Sequence, residues 1–202
     1  MHQQEIMSIL TGAAGLAVFW IVLLIATKKH PWALVMGEDS RPSTSKFQML
    51  VWTAAIVFAF LAIYQIRFSA GYTDELPGMP ANLLIVMGIS VVTTVSAKSI
   101  AIKSAANDTP APAGAAPPAP GRSGIFCDDS GLPDLGKVQL VLWTVIAVGI
   151  FLAEVFARIH NPILPSAGGT VASLGLPDIG QTLMVLTGLG HGAYLGKKIA
   201  ES

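Results

Sequence analysis

The segment Lys46-Phe47-Gln48-Met49-Leu50-Val51-Trp52-Thr53 returns as Lys137-Val138-Gln139-Leu140-Val141-Leu142-Trp143-Thr144, with Lys, Gln, Trp and Thr kept in register at an offset of 91 residues. Further on, Leu76-Pro77, Leu83, Gly88 and Lys98 return as Leu176-Pro177, Leu183, Gly188 and Lys198 at an offset of 100, so the second copy carries nine more residues between its two apolar runs. A lone two-helix hairpin rarely buries its own packing face, and a second copy supplies the surface it lacks. Any fold for this chain must therefore accommodate two like hairpins, 38–103 and 128–202.

The solvent those hairpins meet follows from composition. With 52% apolar residues, 12% charged residues and zero formal net charge, the chain is too evenly apolar for an ordinary water-soluble domain. Apolar runs with few or no charges stand at 8–27, 47–66, 81–97, 138–157 and 182–196. Each is near the length that crosses about 30 Å of hydrocarbon as a helix, and a helix satisfies its own backbone in lipid. The expected fold is all-α: an integral membrane bundle of five transmembrane helices, the shortest of them, 182–196, being the one that could instead re-enter.

Orientation follows from positive charge, because Lys and Arg in short loops are retained in the cytoplasm. With the loop after the first run inside, ten of the twelve Lys and Arg residues lie inside, and only Arg67 and Arg158 lie outside. The N-terminus is then outside and the C-terminus inside, as expected for a multi-pass protein of a bacterial inner (cytoplasmic) membrane. The first run ends in Lys28-Lys29-His30-Pro31 rather than at a small-residue cleavage site, so it reads as an anchor that stays. Both hairpins start inside and return, which makes them parallel repeats about an axis along the membrane normal, the opposite sense from an inverted-repeat transporter.

Four regions result: an anchor helix with a basic stretch (1–37), hairpin repeat A (38–103), a Pro/Ala-rich cytoplasmic linker (104–127) and hairpin repeat B (128–202). The linker holds too much proline and too little bulk to fold and acts as a semi-extended tether. Cys127, the single cysteine, has no intrachain partner, so no disulfide framework exists.

The repeated residues have mostly structural readings. Ser45-Lys46-Phe47-Gln48 fits a capping box, with Gln48 reaching back to the helix start; Gly136 occupies the matching cap position, which leaves Gln139 available for a buried polar contact. Trp52 and Trp143 sit about 7 Å inside the cytoplasmic end of their runs, suited to interface anchoring or hairpin packing. Thr53 and Thr144 can bond their own helix or a neighbour. Gly188, Gly192 and Gly196 form two consecutive GxxxG spacings, a face for close helix approach.

His191, flanked by Gly190 and Gly192, is an intramembrane ionisable group. It reads as a packing hydrogen bond or, less economically, as a proton or ion site. Glu154 precedes Arg158 by four residues, the favourable order for a helical ion pair. The acidic stretches Glu38-Asp39 and Asp128-Asp129 lack the oxygen count of a cation site and read as solvated loop charge.

No phosphate-binding, dinucleotide-binding, zinc-protease or nucleophile-elbow motif and no metal-spaced Cys/His set occurs, so no catalytic, cofactor-binding or metal residue is assigned and an enzyme is not expected. No basic patch suits nucleic acid. The expected partners are the lipid bilayer, a second copy or another membrane subunit, and a cytoplasmic protein meeting the linker and acidic stretches.

At Ser45 to Thr53, Lys137 to Thr144, Leu76 to Lys98 and Leu176 to Lys198 the chain resembles a group of uncharacterised bacterial multi-span membrane proteins. These carry Gln-x-x-x-Trp-Thr opening one helix and Leu-Pro…Gly-(Ile/Leu) in the next. Repeat A departs from the pattern in having no tyrosine to match Tyr194. The resemblance implies membrane location without an activity. The chain is thus expected to be a non-enzymatic membrane anchor or assembly subunit packed through glycine-rich helices. The alternative is a small homo-oligomeric channel or transport component using His191 and the glycine face of the last helix.

The assigned orientation predicts that a cysteine placed at Ser69 or Ser173, with Cys127 changed to Ala, is labelled by an impermeant maleimide from outside intact cells. Labelling only after the cytoplasmic side is opened would reverse the orientation.

Overall fold

The computed structural model describes residues 2–28, 31–36, 42–73, 76–86, 88, 124–127, 132–162, 171, 174–186, 188 and 192. Among these residues the protein is helical and has no strand. Three long helices dominate: α1 (His2–Thr27), α2 (Thr44–Ser69) and α3 (Leu135–His160), with a short 3-10 turn at Pro31–Leu34. All three are long and apolar enough to cross a membrane. Shorter helical stretches occupy 81–86 and 181–186, at the starts of the runs expected to return; apart from Gly88, Gly188 and Gly192, the remainder of 81–97 and 182–196 is outside the described residues.

Helices α2 and α3 match the apolar runs 47–66 and 138–157 but extend three residues beyond each end. Likewise α1 begins six residues ahead of its run, through Gln3, Gln4 and Glu5. A helix satisfies its own backbone whether or not its side chains are apolar, so caps rather than the limits of hydrophobicity end it.

Those caps correct one expectation. Ser45 is not the cap of α2. Ser43 is, in extended conformation, with its hydroxyl accepting from the Lys46 amide at 3.4 Å; the cap of α3 is Asp134, whose carboxylate accepts from the Gly136 and Lys137 amides. Ser45 is buried in the first turn and Gln48 does not close a capping box. The sequence offered two serines two residues apart, and the turn ahead of the helix selects between them. There the Ser43 amide donates to the Val35 carbonyl at 2.7 Å, and Met36 bridges Pro42.

The far end of α2 closes in a Schellman motif. Gly71 takes φ +86°, its amide donates to the Phe68 carbonyl, and the Tyr72 amide donates to the Arg67 carbonyl. The position 91 residues on is Pro162, which has no amide hydrogen and a φ fixed near −65°. The same closure is chemically forbidden to α3, and it is here that the two stretches leave their common register.

Helix α2 lies in the middle, with α1 and α3 packed on it and little contact between those two. Helices α2 and α3 run parallel, since Trp52 meets Phe151 edge-on at 5.8 Å and, further along both helices, Phe58 meets Phe156 at 5.6 Å. Helix α1 runs the other way: Gln4 and Glu5 at its start share a hollow with Ile66, Ile159 and His160 at the far ends of α2 and α3. The core joins Trp52, Ala59 and Ile63 of α2 to Ala147, Phe151 and Val155 of α3 and to Leu83, Val86, Leu176 and Ile179 of the stretches 76–86 and 174–186.

Helix α1 is attached by a narrow stripe of small residues. Ser8 and Gly12 are buried, and a Cβ added to Gly12 would stand 2.9 Å from the Phe58 ring and carbonyl, while one on Gly15 would overlap Leu61. Elsewhere α1 exposes Ile6, Leu10, Val18, Ile21, Val22 and Ile25. Such a face is costly in water and at ease in lipid. Gly12→Leu is therefore expected to lift α1 off α2 and lower stability by about 1–3 kcal/mol. Detergent unfolding followed by circular dichroism checks this; an unchanged midpoint would mean that α1 does not depend on the close approach.

Candidate functional site

The described polar groups gather at the two ends of the helix pair. At the end where α2 and α3 begin, one arrangement occurs twice, 91 residues apart. The Lys46 ammonium donates to the Met36 carbonyl at 2.8 Å, and the Lys137 ammonium donates to the Cys127 carbonyl at 2.7 Å. The Ser43 amide on the Val35 carbonyl is matched by the Asp134 amide on the Phe126 carbonyl, both at 2.7 Å; Met36 faces Pro42 as Cys127 faces Pro133. Thr53 donates to the Met49 carbonyl and Thr144 to the Leu140 carbonyl, so these threonines bond their own helices. The repeated lysine thus fastens a tight turn to the helix that follows it, using a charge-assisted hydrogen bond.

In contrast, the two copies differ in what they bury. In α2, Thr44, Ser45, Gln48 and Trp52 are each at most 2% exposed. Their positions follow one stripe of the helix. Among the described residues, five of their polar atoms have no hydrogen-bond partner: Thr44 Oγ1, Ser45 Oγ, Gln48 Oε1 and Nε2, and Trp52 Nε1. In α3 the matching positions hold Leu135, Gly136, Gln139 and Trp143; Leu135 and Gln139 are exposed and Trp143 is half-buried. The expectation for the glutamines is reversed: Gln48, read as a cap, is the buried one, and Gln139, free for a buried contact, faces outward. Among the described helices, α2 packs against both α1 and α3, whereas α3 packs mainly on α2.

At the opposite end two arginines, also 91 residues apart, hold the connecting loops. Arg67, 4% exposed, donates through Nη1 to the Leu174 carbonyl at 3.2 Å, and Arg158 donates to the Gly175 carbonyl at 2.7 Å. The second loop is joined to the first by the Leu176 amide on the Gly78 carbonyl at 2.9 Å and by Asn82 on the Asp178 carboxylate at 3.1 Å. Backbone approach there is close, since a Cβ on Gly175 would lie 2.9 Å from the Gly78 oxygen. Arg158 is engaged with this loop and forms no ion pair with Glu154, which is exposed. Beside the arginines, His160 Nδ1 lies 3.3 Å from a Glu5 carboxylate oxygen, linking α3 to the start of α1.

Of the other singled-out residues, Gly188 and Gly192 are helical, and a Cβ on either would meet nothing within 4 Å. That face is open at both positions. His191, Gly196 and the acidic stretches 38–39 and 128–129 lie outside the described residues. Among the described residues no group of three or more His, Cys, Asp or Glu is placed to hold a metal. The sequence assigned Arg67 to orientation and Arg158 to orientation and to a pair with Glu154, although their shared offset of 91 also matched that of the recurring Lys, Gln, Trp and Thr. The spacing Ser8, Gly12, Gly15 was likewise a readable small-residue stripe.

No protein-family model, curated protein or solved structure matches the chain.

Removing a buried charged donor forfeits its hydrogen bond and leaves a carbonyl without its partner. Arg67→Met is expected to destabilise the protein by about 2 kcal/mol, and Arg158→Met, at a half-buried position, by less. Unfolding in lipid nanodiscs provides the comparison; equal effects, or none at Arg67, would remove the arginines as loop fasteners.

Proposed function

We propose that this chain is a non-enzymatic protein of a bacterial inner membrane, with five spans formed by an anchor helix and two duplicated parallel hairpins, and that it serves as a membrane anchor or assembly subunit. The observation that carries the reading is the recurrence, at one offset, of the same turn, lysine contact, capped start, 26-residue helix and terminal arginine. The cations Lys46, Lys137, Arg67 and Arg158 end on carbonyls of the chain itself. Among the described residues, the faces open to a partner include the outward side of α1 and the open side around Gly188 and Gly192. In lipid, helix association draws on van der Waals contact over such small-residue surfaces.

With the Lys46 end inside, the fastened turns and the linker 104–127 face the cytoplasm, and the arginine-held loops face outward. A cytoplasmic protein would meet the acidic stretches and the linker, while a second copy or another membrane subunit would meet the glycine face.

The reading predicts that the protein extracted in mild detergent runs well above its 21.1 kDa chain mass, that Gly192→Leu shifts it toward the mass of a single chain, and that proteoliposomes show no ion flux. A lone 21.1 kDa chain under every extraction condition would sink the assembly reading. Proton or ion flux lost in His191→Leu would replace it with a channel.

A further inference from the structure

We propose that the outward side of α3 is a two-fold contact with the α3 of a second copy of this chain, along the seam Gln139, Trp143, Ile146, Ile150, Ala153 and Ala157. The inference rests on the assembly reading and deepens it by naming one face and one occupant. It makes no use of Gly188 or Gly192.

These six residues follow one another at alternating steps of four and three. That is the seven-residue rhythm with which a helix lies along a like partner. From Gln139 to Ala157 the seam runs about 27 Å at 1.5 Å per residue, close to the hydrocarbon thickness of a bilayer. It stops short of His160, whose ring lies against Glu5.

The counterpart seam in α2 shows what such a face is built for. At the positions 91 residues earlier stand Gln48, Trp52, Ala55, Ala59, Ala62 and Ile66, each at most 6% exposed. All but Gln48 belong to the common core with Phe151 and Val155 of α3 and with Leu83 and Val86. In α3, Gln139, Ile146, Ile150, Ala153 and Ala157 are exposed and Trp143 is half-buried. A seam that the chain covers for itself in one repeat is therefore bare in the other.

The residue types favour protein over lipid as its cover. Acyl chains offer a carboxamide no hydrogen bond, whereas Ala153 and Ala157 let another backbone come near. Gly149 flanks them, and a Cβ there would meet nothing within 4 Å. The bulky side chains suited to lipid, Leu142, Val145 and Phe156, are exposed to one side of the seam.

Among protein partners, a second copy matches the seam best. A carboxamide both donates and accepts, so Gln139 opposite its own copy satisfies both. Copies of one chain enter the membrane in the same sense, which places the two-fold axis along the membrane normal and makes the two α3 helices parallel. Each seam residue then meets its equal, as a self-complementary patch requires. Parallel neighbours are already the geometry of α2 and α3 within one chain.

The test is disulfide formation between full-length chains in the membranes where they are made, with Cys127→Ala and a single Ala153→Cys, Ala157→Cys or Val145→Cys. Val145 is exposed on α3 but off the seam. A two-fold contact brings identical seam positions within disulfide reach, so the two alanine positions are expected to give several-fold more covalent dimer than Val145. Ala157→Phe, which thrusts bulk between the backbones, is expected to abolish most of the Ala153→Cys dimer. Equal yields at the three positions, or a yield at Ala153 unmoved by Ala157→Phe, would overturn the proposal. So would no dimer at any position, which leaves the face to lipid. Because the assembly reading is judged by mass in detergent, an assembled protein without seam disulfides would sink the α3 contact alone. The substituted positions are exposed and alanine-to-cysteine is a small change, so the yields report contact rather than folding.

Discussion

Each helix starts with amides and ends with carbonyls that have no partner within it, and an apolar surrounding makes every one of them costly. The described contacts at the ends of α2 and α3 largely answer that constraint. Ser43 and Asp134 take the first amides. Lys46 and Lys137 reach back to the carbonyls of the turns that deliver the chain. Gly71 folds the end of α2 onto itself, and Arg67 and Arg158 satisfy carbonyls of the loop that lies over both helices. Long cationic side chains suit this task, because their stems lie along apolar surface while the charged tip reaches a polar group.

One solution applied twice need not give two equal halves. Helix α2 packs against both α1 and α3, and it buries Gln48 and Trp52 where α3 leaves Gln139 exposed and Trp143 half-buried. The Trp52 indole packs edge-on against Phe151, whereas its N–H and the adjacent glutamine amide are carried into the interior. Each unsatisfied buried group costs about 1–3 kcal/mol, so this stripe is the most expensive part of the described bundle. Identical side chains thus acquire different energetic meanings from which neighbour covers them.

Periodic and long-run signals were the readable ones. The apolar runs located all three long helices, and the repeated Lys, Gln, Trp and Thr positions already pointed to a common local geometry. Signals that depend on one hydrogen bond were harder. Ser43 and Ser45 are both suitable caps as residues, and only the pairing of Val35 with Ser43 fixes the first. Glu154 and Arg158 have ideal spacing for a pair, yet the Gly175 carbonyl, 17 residues away in sequence, offers the guanidinium a partner that spacing rules do not consider. Gly188 and Gly192 meet nothing within 4 Å in the single chain, while close approach among the described residues occurs at Gly12, at Gly15 and between Gly78 and Gly175, the last a contact of which spacing alone gave no signal.

The sequence by itself determined the helical class and the three helices long and apolar enough to cross a membrane, because these are set by how many apolar residues occur and with what spacing, quantities that need no neighbour to define them. Tertiary structure alone decided which glutamine is buried, which cations reach which carbonyls, and that α2 rather than α3 is the central helix. Those outcomes depend on what lies across an interface, and residues 91 apart in the sequence need not meet the same neighbours.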